Sequence, residues 1–313
     1  MADAVFHKVA IVGIGLLGSS IAHAVRAFGG AESVALWDSS DDVRARASRV
    51  VPGKTCETLS ATVSDADCVI LCTPVGVLAD VTKSLSEFLA PGAVLTDVGS
   101  VKATAAADMA AYCPSGIHLI PGHPIAGTEK SGPEAGFASL FQDAWHILTP
   151  LEDQGEGYAD AVSRLTGFWR GLGAQVETMD AARHDRVLAI TSHLPHLIAY
   201  NIVSTAYDME SVEQGEVVKY SAGGFRDFTR IAASDPTMWR DVFLTNKDAV
   251  LETLGRFSED LAALQRAIRW GDGDMLMREF TRARGIRAAI IDAGLDTAEA
   301  DFGRRQQDPG AET

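Results

Sequence analysis

Basic residues are the scarce charge in this sequence. Lysine and arginine number 27 against 42 aspartates and glutamates in 313 residues, a formal net charge of -15 at pH 7. A nucleic-acid surface needs the opposite balance, because lysine and arginine must displace the polyanion's counterions. Nucleic acid is therefore not an expected partner, whereas a small anionic substrate needs only a local basic pocket. Cysteine is also scarce. Cys56, Cys68, Cys72 and Cys113 are scattered, without a C-x-x-C pair or a zinc spacing, so no disulfide framework and no metal site are expected. Cys68 and Cys72 sit in an apolar run and read as reduced core thiols of a cytoplasmic protein. No apolar run reaches the roughly 18–20 residues of a membrane span, so no membrane partner is expected. The N-terminal MADAVFHKVAIVG enters a strand too early for a signal peptide.

Apolar residues make up 47% of the chain and charged residues 22%, enough for one large or two medium cores. In the first half, short β-rich runs alternate with helical stretches. The runs are KVAIV (8–12), SVALW (33–37), CVILC (68–72), AVLTD (93–97), IHLIP (117–121), AWHIL (144–148) and AQVET (174–178). Most are apolar throughout, which suits strands covered on both faces. Helical patterns follow at 16–28, 75–89, 101–112 and 158–172. This rhythm predicts an α/β fold with a doubly wound, mainly parallel sheet over residues 1–180. Residues 181–295 carry only long helical patterns with wide apolar stripes, so this half is expected to be helical and to pair with a second copy as a homodimer. The polar stretch 296–313 is expected to be a disordered tail.

KVAIVGIGLLGSS places Gly13, Gly15 and Gly18 in a GxGxxG pattern between a strand and a helix, with Leu16 and Leu17 inside the loop. The first glycine permits the tight turn, the second lets backbone approach a pyrophosphate, and the third lets helix and strand pack closely. The helix N-terminus favours the pyrophosphate. Asp38 ends the second strand, twenty residues beyond Gly18, where an acid accepts hydrogen bonds from the adenosine ribose. A carboxylate there repels a 2′-phosphate, and no arginine follows before Arg44, so NAD is expected over NADP. Thr73 and Pro74 close the third strand run and are expected on the cofactor side, with a new helix beyond Pro74.

Two further strand ends carry polar residues: Asp97, Ser100 and Lys102 in DVGSVK, and His123 in PGHPIAGTEKSG. Glycine and proline at that density argue against regular structure around His123. A histidine beside a nicotinamide suits alcohol oxidation as the proton acceptor; its alternative is a loop residue capping backbone groups. Ser100 is also expected to cap the helix at 101–112. Lys219, Arg226, Arg230 and Arg240 cluster near Gly223 and Gly224 and suit a carboxylate, though some must be solvated surface paired with Asp227 and Asp241. His193 and His196 lie at i, i+3 around Pro195 without further metal ligands, and Trp239 at helical spacing fits core or dimer contact.

Taken together, GIGLLG, DVGSVK, GHPIAGTEKSG, SHLPH and GGFRDFTRIAASDPTMWRD resemble the prephenate/arogenate dehydrogenase family of tyrosine biosynthesis, over nearly the whole chain. The resemblance implies a Rossmann-type domain, an all-helical dimerisation domain, and NAD-dependent oxidative decarboxylation of prephenate or arogenate. It implies that His123 accepts the hydrogen bond or proton of the ring hydroxyl and that Ser100 touches the same hydroxyl. It further implies that Arg230 binds a substrate carboxylate, that Glu129 takes part in gating, and that Trp239 reaches the partner subunit's site. One histidine of SHLPH lines the pocket; His193 is the preferred match over His196. With no domain-sized segment before the glycine strand or after residue 295, no fused mutase or regulatory domain is expected, and any tyrosine feedback acts at the active site. Two alternatives stay open. A β-hydroxyacid dehydrogenase or imine reductase shares the layout but uses a lysine on the first C-terminal helix, and HDRVLAITSHLPH has none. A non-catalytic NAD-sensing module needs the glycine loop but not His123, Ser100 and Arg230 together.

Overall fold

A computed structural model describes residues 4–128, 130–152, 154–210 and 223–292. Glu129, Lys219 and the 296–313 tail lie outside the described residues. The chain divides into two compact units, 1–253 and 254–313.

The first unit is built on a six-stranded, all-parallel sheet in the order β3-β2-β1-β4-β5-β6. Its strands are β1 (Phe6–Val12), β2 (Ala31–Trp37), β3 (Lys54–Thr55), β4 (Cys68–Leu71), β5 (Val94–Asp97) and β6 (His118–Leu119). The order reverses at β1, which creates the crevice at the carboxyl edge where such sheets bind ligands. The helices are α1 (Leu16–Phe28), α2 (Asp41–Val50), α3 (Leu59–Val63), α4 (Leu78–Leu85), α5 (Ala103–Ala110) and α6 (Tyr158–Gly171). The apolar runs are explained by burial on both faces. Val9 and Ile11 of β1 pack into one core with Ile21, Phe168 and Trp169, whereas Ala10 and Val12 pack into the other with Leu78 and Met109.

Two strand runs do not join this sheet. AWHIL and AQVET form β8 (Trp145–Leu148) and β9 (Gln175–Thr178) of a separate three-stranded sheet with β7 (Gly122–Pro124). His123 therefore lies in a strand, contrary to the expectation from its glycines and proline. The reason is position: β7 is a three-residue edge strand, antiparallel to β8 with His123 opposite Ile147, so Pro124 needs no N–H on the open side.

Beyond Asp180, which caps α7 (Ala181–Leu188) by accepting from Arg183 N at 2.9 Å, the described chain is helical. A π-helical turn, Ala189–His193, joins α7 to α8 (Leu194–Glu210), with Leu194 N–H donating to Ala189 O. Pro195 accounts for it: proline has no N–H for the preceding turn and clashes with its carbonyl, so the helix widens. Together α7 and α8 form the run Ala181–Met209, long and apolar enough by composition to cross a membrane, which corrects the expectation from the sequence. Its buried His184, Asp185 and His193 bond to other elements of the unit, an arrangement suited to a protein interior. After α9 (Gly223–Thr229) come α10 (Pro236–Thr245) and α11 (Lys247–Trp270), split at Asn246. The second unit contains the rest of α11 and α12 (Gly273–Asp292).

Candidate active site

The glycine loop fits a dinucleotide residue by residue. Gly13 has φ +100°, and a Cβ there would sit 2.5 Å from Cys72 O. A Cβ on Gly18 would sit 2.0 Å from Gly13 O, so the helix can pack here only against glycine. At Gly15 a Cβ would meet nothing within 4 Å, so the loop's own packing does not demand glycine and the space beside it is open to a ligand. The N-terminus of α1 has no side-chain cap, which leaves the Leu16 and Leu17 N–H groups to an anion. Asp38 ends β2 with Oδ2 accepting from Ile14 N at 2.9 Å and Oδ1 from Ser40 N at 3.0 Å. The acid is thus fixed against the glycine loop itself. Thr73 and Pro74 follow β4 at the same edge, and a 3-10 turn starts at Val75.

At the carboxyl end of β5 the structure assembles a second group. His123 Nδ1 lies 2.9 Å from His184 Nε2, and His184 Nδ1 lies 2.8 Å from Asp185 Oδ1. A carboxylate only accepts, so His184 Nδ1 carries a proton, His184 Nε2 accepts from His123 Nδ1–H, and His123 Nε2 keeps its lone pair. Burial holds His123 well below the ordinary histidine range, and His184, Lys102, His146 and His193 push the same way. The ring is a neutral acceptor at physiological pH.

Asp185 does a second task. Its carboxylate accepts from Lys102 N at 2.7 Å and Ala103 N at 2.9 Å, capping α5 from another element. Ser100 therefore does not cap this helix, as the sequence suggested; α5 starts later, and Ser100 is half-buried without a side-chain bond to another described residue. Its hydroxyl remains available to a ligand.

A third group surrounds Trp239. His196 stacks on its ring at 3.7 Å, and His193 meets it edge-on at 6.0 Å. Asn246 Nδ2 donates to Asp185 O at 2.9 Å and lies 3.1 Å from His193 Nδ1, joining this group to the His123 relay. With Nδ1 accepting, the proton of His193 sits on buried Nε2. Burial lowers His193 to about 4, although Asp185 and a hydrogen bond from the ring to the Ser100 backbone favour its charged form. Of the two histidines, His196 feels the charge of Arg230, which helps burial to lower its pKa. Trp239 is 6% exposed and packs inside its own chain with Val75, Leu78 and Val242. α10 lies against the 3-10 turn after Pro74, which pulls the indole into that core. Arg240 pairs with Asp241 at 2.7 Å, in line with a surface role.

Sequence reasoning missed His184, Asp185 and Asn246. His184 and Asp185 look like polar helix surface, and only packing against Lys102 and His123 gives them a task.

A glycine-loop nucleotide sheet whose carboxyl edge faces a buried neutral histidine relay defines a two-domain, dinucleotide-dependent dehydrogenase. Comparison with known proteins makes this particular. Residues 21–178 match the prephenate dehydrogenase nucleotide-binding domain, and residues 180–282 the prephenate dehydrogenase dimerization domain. The chain is 40% identical to the cyclohexadienyl dehydrogenase of Zymomonas mobilis, covering 91% of this chain and 97% of that one. It is similar to the prephenate dehydrogenase of Aquifex aeolicus solved with hydroxyphenyl propionate and NAD+, with a TM-score of 0.82 and 33% identity over 91% of this chain and 98% of that one. Synechocystis arogenate dehydrogenase matches with a TM-score of 0.74 and 26% identity, covering 90% and 99%. The chain belongs to the prephenate dehydrogenase family.

Proposed function

We propose that this chain catalyses NAD-dependent oxidative decarboxylation of a cyclohexadienyl carboxylate in tyrosine biosynthesis, from prephenate to 4-hydroxyphenylpyruvate or from arogenate to tyrosine. The observation that carries the roles is the His123 relay at the carboxyl edge of the nucleotide sheet. Bound NAD+ supplies the hydride acceptor. His123 Nε2 accepts the hydrogen bond, then the proton, of the ring hydroxyl as its carbon becomes a carbonyl. His184 and Asp185 hold the tautomer that keeps this lone pair free. Ser100 touches the same hydroxyl. Loss of carbon dioxide completes the aromatic ring, which makes the step downhill.

Arg230, beside His196, is the carboxylate holder on this reading, and His193 and Trp239 wall the pocket. Glu129 is assigned to gating from family likeness. Gly13, Gly15, Leu16, Leu17, Gly18, Asp38, Thr73 and Pro74 serve the cofactor, so the division near residue 180 separates cofactor and substrate halves.

The dimerization match and the apolar side chains exposed here, among them Ile190 in the π turn and Tyr207 on α8, support a homodimer formed through the helical half. Four free thiols suit the cytoplasm. The test is NADH production from NAD+ with prephenate and with arogenate. His123→Asn should lower kcat by about 10²-fold or more; an unchanged kcat refutes the assignment of His123.

A further inference from the structure

We propose that Asp97 and Lys102 form a buried clamp that positions His123 for catalysis. The proposal rests on His123 being the proton acceptor. Both side chains are 0% exposed and pair directly, Lys102 Nζ with Asp97 Oδ2. Lys102 Nζ also donates to Gly122 O at 2.7 Å, and Asp97 Oδ1 accepts from Gly122 N at 3.2 Å. One ion pair therefore holds both backbone polar groups of the residue that immediately precedes His123. Asp97 Oδ2 takes a further bond from Gly99 N at 2.8 Å, which fixes the loop leading to Ser100.

The strand geometry explains why a clamp is needed. In the antiparallel β7–β8 pair, Thr149 N donates to Pro121 O and Ile125 N donates to Trp145 O. Gly122 falls between these bonding positions, and its N–H and C=O turn away from β8. β7 is an edge, so no further strand receives them. Left unpaired and buried, both groups would be costly. Gly122 is closely packed as well, since a Cβ there would lie 2.7 Å from His146 Nε2.

Lys102 reaches His123 by a second route. Its backbone N–H donates to Asp185, which bonds His184, which bonds His123. The residue thus sets the backbone under the imidazole and the relay behind it. A buried ion pair seldom exists for stability, because an apolar pair of equal volume is often as stable. Setting the position of a base is a function that an apolar pair does not reproduce.

The test is steady-state kinetics of full-length enzyme carrying Lys102→Met with Asp97→Asn, in the parent and in a His123→Asn background. The expected result is a fall in kcat of about 10²-fold, the scale of a misplaced reacting group, with KM for NAD+ little changed. The loss should vanish when His123 is already asparagine. A parental kcat in the double variant, or an equal loss in both backgrounds, overturns the clamp. If the double variant does not fold, Asp97→Asn alone enters the same cycle: a loss confined to the parent background supports the clamp, and no loss or an equal loss overturns it. A His123→Asn enzyme with normal kcat instead overturns the base assignment, and the clamp with it.

Discussion

His123 and His184 face each other through Nδ1 and Nε2 at 2.9 Å, and the two rings stand edge to face with centroids 5.1 Å apart. One histidine comes from an edge strand of the small sheet and the other from the first helix after it. Their contact thus joins the small sheet to that helix within the first compact unit. His184→Phe keeps a ring of similar shape but removes the acceptor for His123 Nδ1–H. The proton of His123 is then free to move to Nε2, where it blocks the lone pair. We expect kcat to fall by about 10²-fold, with substrate KM changed little. Steady-state kinetics in both substrates checks this; an unchanged kcat removes His184 from the relay.

The glycine loop yields a contrast between neighbours. Gly18→Ala forces a methyl to 2.0 Å from Gly13 O, against backbone that cannot yield locally. It should lower the melting temperature and weaken NAD+ binding together. Gly15→Ala meets no protein atom within 4 Å, so it should fold normally yet bind NAD+ more weakly. Thermal melts and NAD+ titrations of the two variants read this directly. Equal NAD+ affinity in Gly15→Ala and the parent contradicts close cofactor approach at that position.

Much of this was legible from residue order. The helix at 16–28 is found as α1 (Leu16–Phe28), and the runs from β1, β2, β4 and β5 become central strands because continuous apolar sequence fits burial on both faces. The GxGxxG loop was legible because Gly13 and Gly18 answer to local steric demands. His123 stood out in the sequence as a candidate but not as a strand residue, since pairing with Ile147 depends on a partner more than twenty residues away. His184, Asp185 and Asn246 were not legible at all. Their side chains acquire roles only through contacts such as Lys102 N with Asp185, across 83 residues of chain. That the turn before Pro195 is π-helical, and so changes the register between His184 and His193, was not legible in residue order.

Asp38 should govern cofactor choice. Its carboxylate is aimed by two backbone N–H groups, and a 2′-phosphate placed there meets a fixed negative charge. Arg44, whose guanidinium donates to Asp38 O at 2.6 Å, is the nearby cation once that charge is gone. The parent should therefore use NAD+ in strong preference to NADP+, and Asp38→Ser should narrow the ratio of kcat/KM by about tenfold or more, the effect of roughly 1.4 kcal/mol. Equal kcat/KM for the two cofactors in the parent defeats this reading.

Acid should unfold this protein through its buried histidines. His123, His146 and His193 are all lowered from the ordinary 6.5, with burial the leading cause in each. His146 is the extreme case: fully buried, stacked 3.9 Å from Trp169, with neither ring nitrogen bonded to a described residue. The folded rings resist protonation, so below about 6.5 the unfolded chain binds more protons than the folded one. Stability is then complete above that pH and falls as pH drops through it towards about 4, where folded His193 itself titrates. One pH unit below the unfolded value, each ring costs on the order of 1 kcal/mol, so the three together remove a few kcal/mol. Urea unfolding at pH 7.5 and pH 5.5 measures this loss. His146→Leu removes one contributor without an ionisable group in its place, and should flatten the pH dependence by about a third. A variant whose acid sensitivity matches the parent's shows that the other titrating groups, not this ring, carry the effect.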